Sequence, residues 1–148
     1  MEVLPYNDTV MDHIRWPRNA GAMENPDGVY QSGDPGCGDT LKLFIRVKDD
    51  IITEASFQVM GCGAAIASAS AVTVILQGLS LDNALDITDR QVVDYLGGLP
   101  PHKIHCSVMA QDAIQGAVND YRQRLASMYL GQDHTYPTLQ GQFQDMLK

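Results

Sequence analysis

The chain has 148 residues, 45% hydrophobic and 19% charged, with 18 acidic against 10 basic side chains and a formal net charge of −8. That length suits one domain with its own core, since single domains run to roughly 100–200 residues, and the composition is ordinary for a soluble globular protein. The negative balance argues against nucleic acid as a partner, because such binding rests on Lys and Arg neutralising phosphates. The longest apolar stretch, 61–76, falls short of the about 18–20 residues of a membrane span and is broken by Ser68, Ser70 and Thr73.

Val10, Met11, Ile14 and Trp16 recur at helical spacing. With Asn7 or Asp8 as cap and Pro17 as stop, they predict a short amphipathic helix over 8–16. Residues 18–28, rich in Asn, Gly and Pro, predict a loop, and 28–33 a brief strand around Val29 and Tyr30. Leu41, Leu43, Ile45 and Val47 alternate with Lys42, Phe44, Arg46 and Lys48, which predicts a strand with one apolar and one mostly polar face. Asp49 and Asp50 form a tight connection to a second strand over 51–59, with Ile52, Ala55, Phe57 and Val59 turned inward. The Ala- and Ser-rich segment 63–77 predicts a closely packed helix ended by Gly78. Two short helices follow over 81–85 and 89–96. After Pro100 and Pro101 a last helix runs from about 104 to 125 or beyond, with Val108, Ile114, Ala117, Val118, Tyr121 and Leu125 on one broad face. Residues 1–130 are expected to form one α+β domain, and 131–148 a polar, Gln-rich tail.

Cys37, Cys62 and Cys106 each stand where the chain reverses: Gly36-Cys37-Gly38-Asp39, Gly61-Cys62-Gly63 and His105-Cys106-Ser107. Glycine lets a bulky ligand approach the main chain, so the two Gly-Cys-Gly segments look built to hold something. An odd cysteine count cannot close into an intramolecular disulfide framework, and reduced thiols belong to a reducing compartment. No signal peptide opens the sequence, so a cytoplasmic location is expected. The predicted hairpin lies between Cys37 and Cys62, and strands of matching length bring both to one end. Cys62 and Cys106 fall at predicted helix N-termini, where unpaired N–H groups favour negative charge; each is expected to be a ready thiolate. Thiolates ligate zinc and iron–sulfur clusters and accept sulfur from persulfides. Three of them leave a four-coordinate site one ligand short, and Asp39 and His105 are the adjacent candidates for the fourth. Lys103, His13 and His134 are expected at the surface, and His102 near the site without a ligand role.

In these residues the chain resembles the U-type iron–sulfur cluster scaffold family, IscU and the N-terminal domain of NifU. The resemblance runs from Tyr6 to Tyr121 through Tyr6-Asn7-Asp8-Thr9-Val10-Met11-Asp12-His13, Pro17-Arg18-Asn19-Ala20-Gly21, Cys37-Gly38-Asp39, Gly61-Cys62-Gly63-Ala64-Ala65-Ile66-Ala67-Ser68 and Leu99-Pro100-Pro101 to His105-Cys106-Ser107. It implies a fold of three antiparallel strands packed against about five helices, with the cysteine site at one end. It also implies a scaffold rather than an enzyme: a cysteine desulfurase delivers persulfide sulfur, iron and electrons arrive, and a labile 2Fe-2S cluster is built and passed to apo-proteins. By motif position Cys37, Cys62 and Cys106 are the implied cluster ligands, and Cys106 the implied first persulfide acceptor. Asp39 matches the family's lability-linked aspartate, His105 a metal ligand and Lys103 a site-adjacent lysine; the same residues can hold zinc in the cluster-free form. The compact interval from Cys62 to Cys106 fits the IscU branch better than the SufU branch. One departure is Leu99-Pro100-Pro101-His102-Lys103, where His102 replaces a valine of the family's chaperone-recognition segment, so weaker binding to a DnaK-type chaperone is expected. A homo-oligomer would shield an exposed cluster, but no residue pattern fixes one. The competing readings are a structural zinc-binding interaction module, which lacks the paired C-x-x-C spacing usual for such sites, and a Cys106/His105 thiol enzyme, which leaves Cys37 and Cys62 without a role.

Overall fold

The computed structural model describes residues 6–34 and 38–132. In chain order the elements are α1 (Asp8–Arg15), β1 (Gly28–Asp34), β2 (Asp39–Lys48), β3 (Ile51–Met60), α2 (Gly63–Leu76), α3 (Leu81–Leu85), α4 (Asp89–Tyr95) and α5 (His105–Gln132), with a 3-10 turn at Pro101–Lys103 leading into α5. The strands form one antiparallel sheet in the order β1-β2-β3. The expected α+β class is what the chain adopts, with three strands and five helices among the described residues. The tail beyond residue 132, with His134, lies outside the described residues.

The β2–β3 turn is set by Asp49 and Asp50, both at positive φ (53° and 62°). That is the conformation of a two-residue turn whose twist matches the flanking strands, and short Asp side chains tolerate it. Just past the turn the ladder slips: Arg46 pairs with Glu54 but Val47 with Ile52, which leaves Thr53 as an extra residue in β3. This bulge is why Ile52 and Ala55 both face inward despite odd spacing; a regular strand would turn one of them outward.

Leu41, Leu43 and Ile45 of β2 and Ile52, Ala55 and Phe57 of β3 are buried with α2 and the apolar side of α5. Ten of the 14 residues of α2 are buried, including Ala64, Ala65, Ala67, Ala69, Ala71, Val72 and Leu76. It has no polar face because the sheet, α1 and α5 enclose it. β1 lies so close to α5 that a Cβ on Gly28 would collide with the Ala117 carbonyl oxygen. These contacts fix where α5 begins, and so where His105 and Cys106 stand.

Two expectations are corrected. Phe44, on the face expected to be mostly polar, is buried. The loop before β1 crosses that face: Asn19 and Gly21 are hydrogen-bonded to Phe57 at the β3 edge, Asp27 donates to the Ile45 carbonyl, and Arg46 donates to the Glu24 and Asn25 carbonyls. His13, expected at the surface, is 3% exposed. Its Nδ1 lies 2.7 Å from Ser70 Oγ, and its ring packs edge-on against Tyr95. The apolar stripe of α1 faces α2, and His13 lies within that interface.

Candidate metal centre

The site stands at the end of the sheet away from the Asp49–Asp50 turn, where β2 begins and β3 ends. Asp39 is the first residue of β2 and Met60 the last of β3, and the pairing of Thr40 with Met60 places Asp39 beside the turn into α2. Gly61 fits against the Asp39 side chain; a Cβ there would lie 2.6 Å from Oδ1, so the glycine is required for that carboxylate position. Cys62 is the N-cap of α2, and its carbonyl accepts from Ala65 and Ile66 N–H. His105 and Cys106 open α5, after a turn in which Lys103 N–H donates to the Pro100 carbonyl.

Asp39, Cys62 and Cys106 each contribute one ligand atom to a group lying within 4.8 Å of one another. Cys62 Sγ and Cys106 Sγ are 3.7 Å apart. Two sulfurs bound to one zinc at about 2.3 Å in a tetrahedron stand about 3.8 Å apart, so the pair is already spaced for a shared metal. His105 Nε2 lies 3.2 Å from Asp39 Oδ2 and 3.6 Å from Cys106 Sγ. Imidazole and carboxylate, weighed in the sequence as alternatives for a fourth ligand, therefore stand together. The group is held by hydrogen bonds between atoms that are all potential ligands, and binding a metal would displace their protons.

The structure thus brings together Asp39, Cys62, His105 and Cys106; Cys37 lies outside the described residues. Cys106 corrects one expectation. It has no exposed surface, and burial, with a smaller contribution from Cys62, pushes its thiol up to about 12. Desolvation outweighs the helix terminus here, so Cys106 is a protonated thiol near neutral pH. Lys103, expected at the surface, sits close enough to the site that the Cys62 thiolate raises its pKa, with lesser help from Tyr6 and Cys106. His102 is exposed.

Beside the ligand group lies a groove of about 470 Å³ lined by Ser32, Gly33, Asp39, His105, Val108, Met109 and Asp112. Gly33, with φ of 101°, leaves no room for a Cβ between the Asp39 carbonyl and Met109. The sequence reading did not single out Asp112 or Met109. Their signal was the spacing 105, 108, 109, 112, one face of a helix starting at a proposed ligand.

The fold and the site define a small α+β domain that gathers thiols, a carboxylate and an imidazole at one end. The model of the NifU-like N terminal domain family matches residues 5–128, and the chain belongs to that family. It is 47% identical over 116 residues to iron-sulfur cluster assembly scaffold protein IscU 1 of Archaeoglobus fulgidus, covering 78% of this chain and 76% of that protein. It is 46% identical over 125 residues to IscU of Escherichia coli K12, covering 82% and 97%. To nitrogen fixation protein NifU of Azotobacter chroococcum it is 43% identical over 136 residues, 90% of this chain and 43% of that one. Among solved structures, a NifU-like N-terminal protein from Brucella abortus superposes with a TM-score of 0.67 at 17% identity, over 80% of this chain and 95% of that one, which supports the fold. The relatives are named as scaffolds rather than enzymes. Among the described residues no helix is long and apolar enough to cross a membrane.

Proposed function

We propose that the chain is a scaffold on which an iron–sulfur cluster, a labile 2Fe-2S unit, is assembled and then handed to apo-proteins. The observation that carries this reading is the convergence of Asp39, Cys62 and Cys106 within 4.8 Å, with His105 Nε2 against two of them. Cys37, Cys62 and Cys106 supply thiolates, and Asp39 and His105 complete the set. An oxygen or imidazole ligand leaves an iron more readily exchanged than a fourth thiolate does, which suits a site that gives its cargo away. Zinc is the metal these donors hold in the cluster-free form.

Sulfur arrives on Cys106 from a cysteine desulfurase. The Cys106 sulfur attacks the outer sulfur of the donor persulfide, the donor cysteine leaves as a thiolate, and the Cys106 proton is lost to solvent or to that thiolate. Cys106 has no exposed surface, so the donor reaches it only when the packing around it opens. A cytoplasmic setting fits the reduced thiols.

The reading is tested by anaerobic reconstitution with ferrous iron, cysteine and a desulfurase. A 2Fe-2S absorption spectrum that passes to apo-ferredoxin, lasts longer with Asp39→Ala and is lost with Cys106→Ala is the expected result. Absence of any cluster, together with zinc that cannot be removed without unfolding the chain, would overturn it in favour of a structural zinc module. For the chaperone, a peptide covering residues 99–103 is expected to bind a DnaK-type protein more weakly than its His102→Val version, because an exposed imidazole replaces an apolar side chain. Equal affinity of the two peptides would reject that expectation.

A further inference from the structure

Persulfide sulfur is at the zero-valent level and must gain two electrons before it can serve as the sulfide of a cluster. The site holds a donor for them. Cys62 Sγ is 3.7 Å from Cys106 Sγ, at van der Waals contact and about 1.6 Å from closing to the ~2.05 Å of a disulfide. Cys62 is half-buried at the cap of α2 while Cys106 is enclosed, so the exposed partner is the one positioned to attack.

We propose that Cys62 is the resolving thiol for a persulfide carried on Cys106. The inference rests on the reading of Cys106 as sulfur acceptor. The Cys62 sulfur, as thiolate, attacks the inner sulfur of Cys106–S–SH; the Cys62–Cys106 bond forms, the persulfide bond breaks, and the outer sulfur departs as hydrosulfide. The electron pair comes from oxidation of the two cysteine thiols to a disulfide, and the zero-valent sulfur is reduced to sulfide. A dithiol reductant then restores both thiols by exchange. Attack on the outer sulfur would instead expel a Cys106 thiolate into a place without solvent, a costly charge to bury. Attack on the inner sulfur expels a small anion beside Asp39 and His105, the donors that would present iron to it. Cys62 thereby acquires a role in sulfur reduction distinct from cluster ligation.

The test loads the metal-free full chain with persulfide sulfur from a desulfurase, removes the donor by gel filtration, and incubates it anaerobically without iron or added thiol. Released sulfide and intact protein mass are followed in time, and cysteine linkages are mapped on peptides. The expected course is gain of one sulfur on Cys106, then release of stoichiometric sulfide with loss of two hydrogens relative to the reduced chain and a Cys62–Cys106 linkage. Cys62→Ser, checked for folding by circular dichroism, is expected to keep its persulfide and lose sulfide release. A loaded parent chain that releases no sulfide overturns the inference while leaving the acceptor reading intact. A Cys37–Cys106 linkage in place of Cys62–Cys106 also overturns it. Failure of Cys106 to gain sulfur at all sinks the acceptor reading and the inference together.

Discussion

Gly61 shows how one missing methyl group can position a ligand. A Cβ there would press on Asp39 at 2.6 Å from Oδ1 and 3.1 Å from Cγ, and Asp39 is anchored as the first paired residue of β2. Gly61→Ala is therefore expected to swing the carboxylate away from Cys62 and Cys106, lowering zinc affinity about 10- to 100-fold, the range seen when groups that orient metal ligands are lost. Competition titration with a chromophoric chelator measures it; an unchanged affinity would mean that Asp39 does not hold the metal. Cys106 offers a second residue-scale test. The thiolate fraction falls about tenfold for each pH unit between the ambient pH and the pKa, and this thiol is both enclosed and pushed up to about 12. In the metal-free chain at neutral pH, iodoacetamide is expected to modify the half-buried Cys62 well before Cys106. Mass mapping over time decides, and equal rates would show the packing around Cys106 to be open.

At the scale of elements, Asn7 links α1 to the turn that follows α4. Its Oδ1 accepts from Val10 N–H at 2.8 Å, while its Nδ2 donates to the Leu96 carbonyl at 3.0 Å and the Gly98 carbonyl at 3.3 Å. Losing a side-chain cap costs about 0.5–2 kcal/mol and each of the two further hydrogen bonds about 1 kcal/mol, so Asn7→Ala is expected to cost roughly 2.5–4 kcal/mol. Asn7→Asp keeps the cap acceptor without the amide donors and is expected to lose less; urea unfolding of both variants separates the two roles, and identical losses would show that the tether contributes nothing. The second interface of α1 titrates. Burial is the main cause lowering the pKa of His13, Arg18 adds to it and Asp12 opposes it. The unfolded chain then takes up a proton near about pH 6.5 that the folded chain resists. This contribution is full above that pH and is lost as pH falls toward the lowered folded value. The urea midpoint is expected to drop between pH 7.5 and pH 5, with a shallower dependence in His13→Gln; parallel profiles would clear His13 as the cause.

These element-scale features also show what the sequence made legible. The alternation of Leu41, Leu43 and Ile45 against Lys42, Arg46 and Lys48 was enough to place β2, and the Asp49-Asp50 pair enough to place its turn, because period and turn chemistry are local. The inward set Ile52, Ala55 and Phe57 implied a bulge without naming it. The burial of Phe44 and His13 was not legible, since it depends on a loop and a helix brought from elsewhere in the chain. The same holds for Cys106: its place in the first turn of α5 suggested a thiolate, but the packing around it decides its protonation. The motifs pointed to Asp39, Cys62, His105 and Cys106 as one site, and the structure gathers them. Asp112 and Met109 carried no motif and emerge only from the groove they line.

For the whole molecule, what matters is whether the site holds the fold or the fold holds the site. The core of β2, β3, α2 and α5 forms one cluster of buried side chains, and among the described members of the ligand set only Cys106 is fully buried within it. Asp39, Cys62 and His105 stand at its edge. On the scaffold reading, metal is expected to be a ligand added to a chain that folds without it, whereas a structural zinc site supplies the folding energy itself. A metal that binds the native chain and not the unfolded one stabilises by about 2.7 kcal/mol when free metal is a hundredfold above Kd. The expected outcome is a chelator-treated chain with a cooperative thermal transition and native near-ultraviolet dichroism, and a transition moved upward by several degrees in excess zinc. Asp39→Ala is expected to keep the first behaviour and lose most of the second, because the carboxylate contributes to the metal and little to the core. Loss of the cooperative transition on chelation would show instead that the metal completes the fold, and a site so tied to folding could not release its cargo without unfolding its carrier.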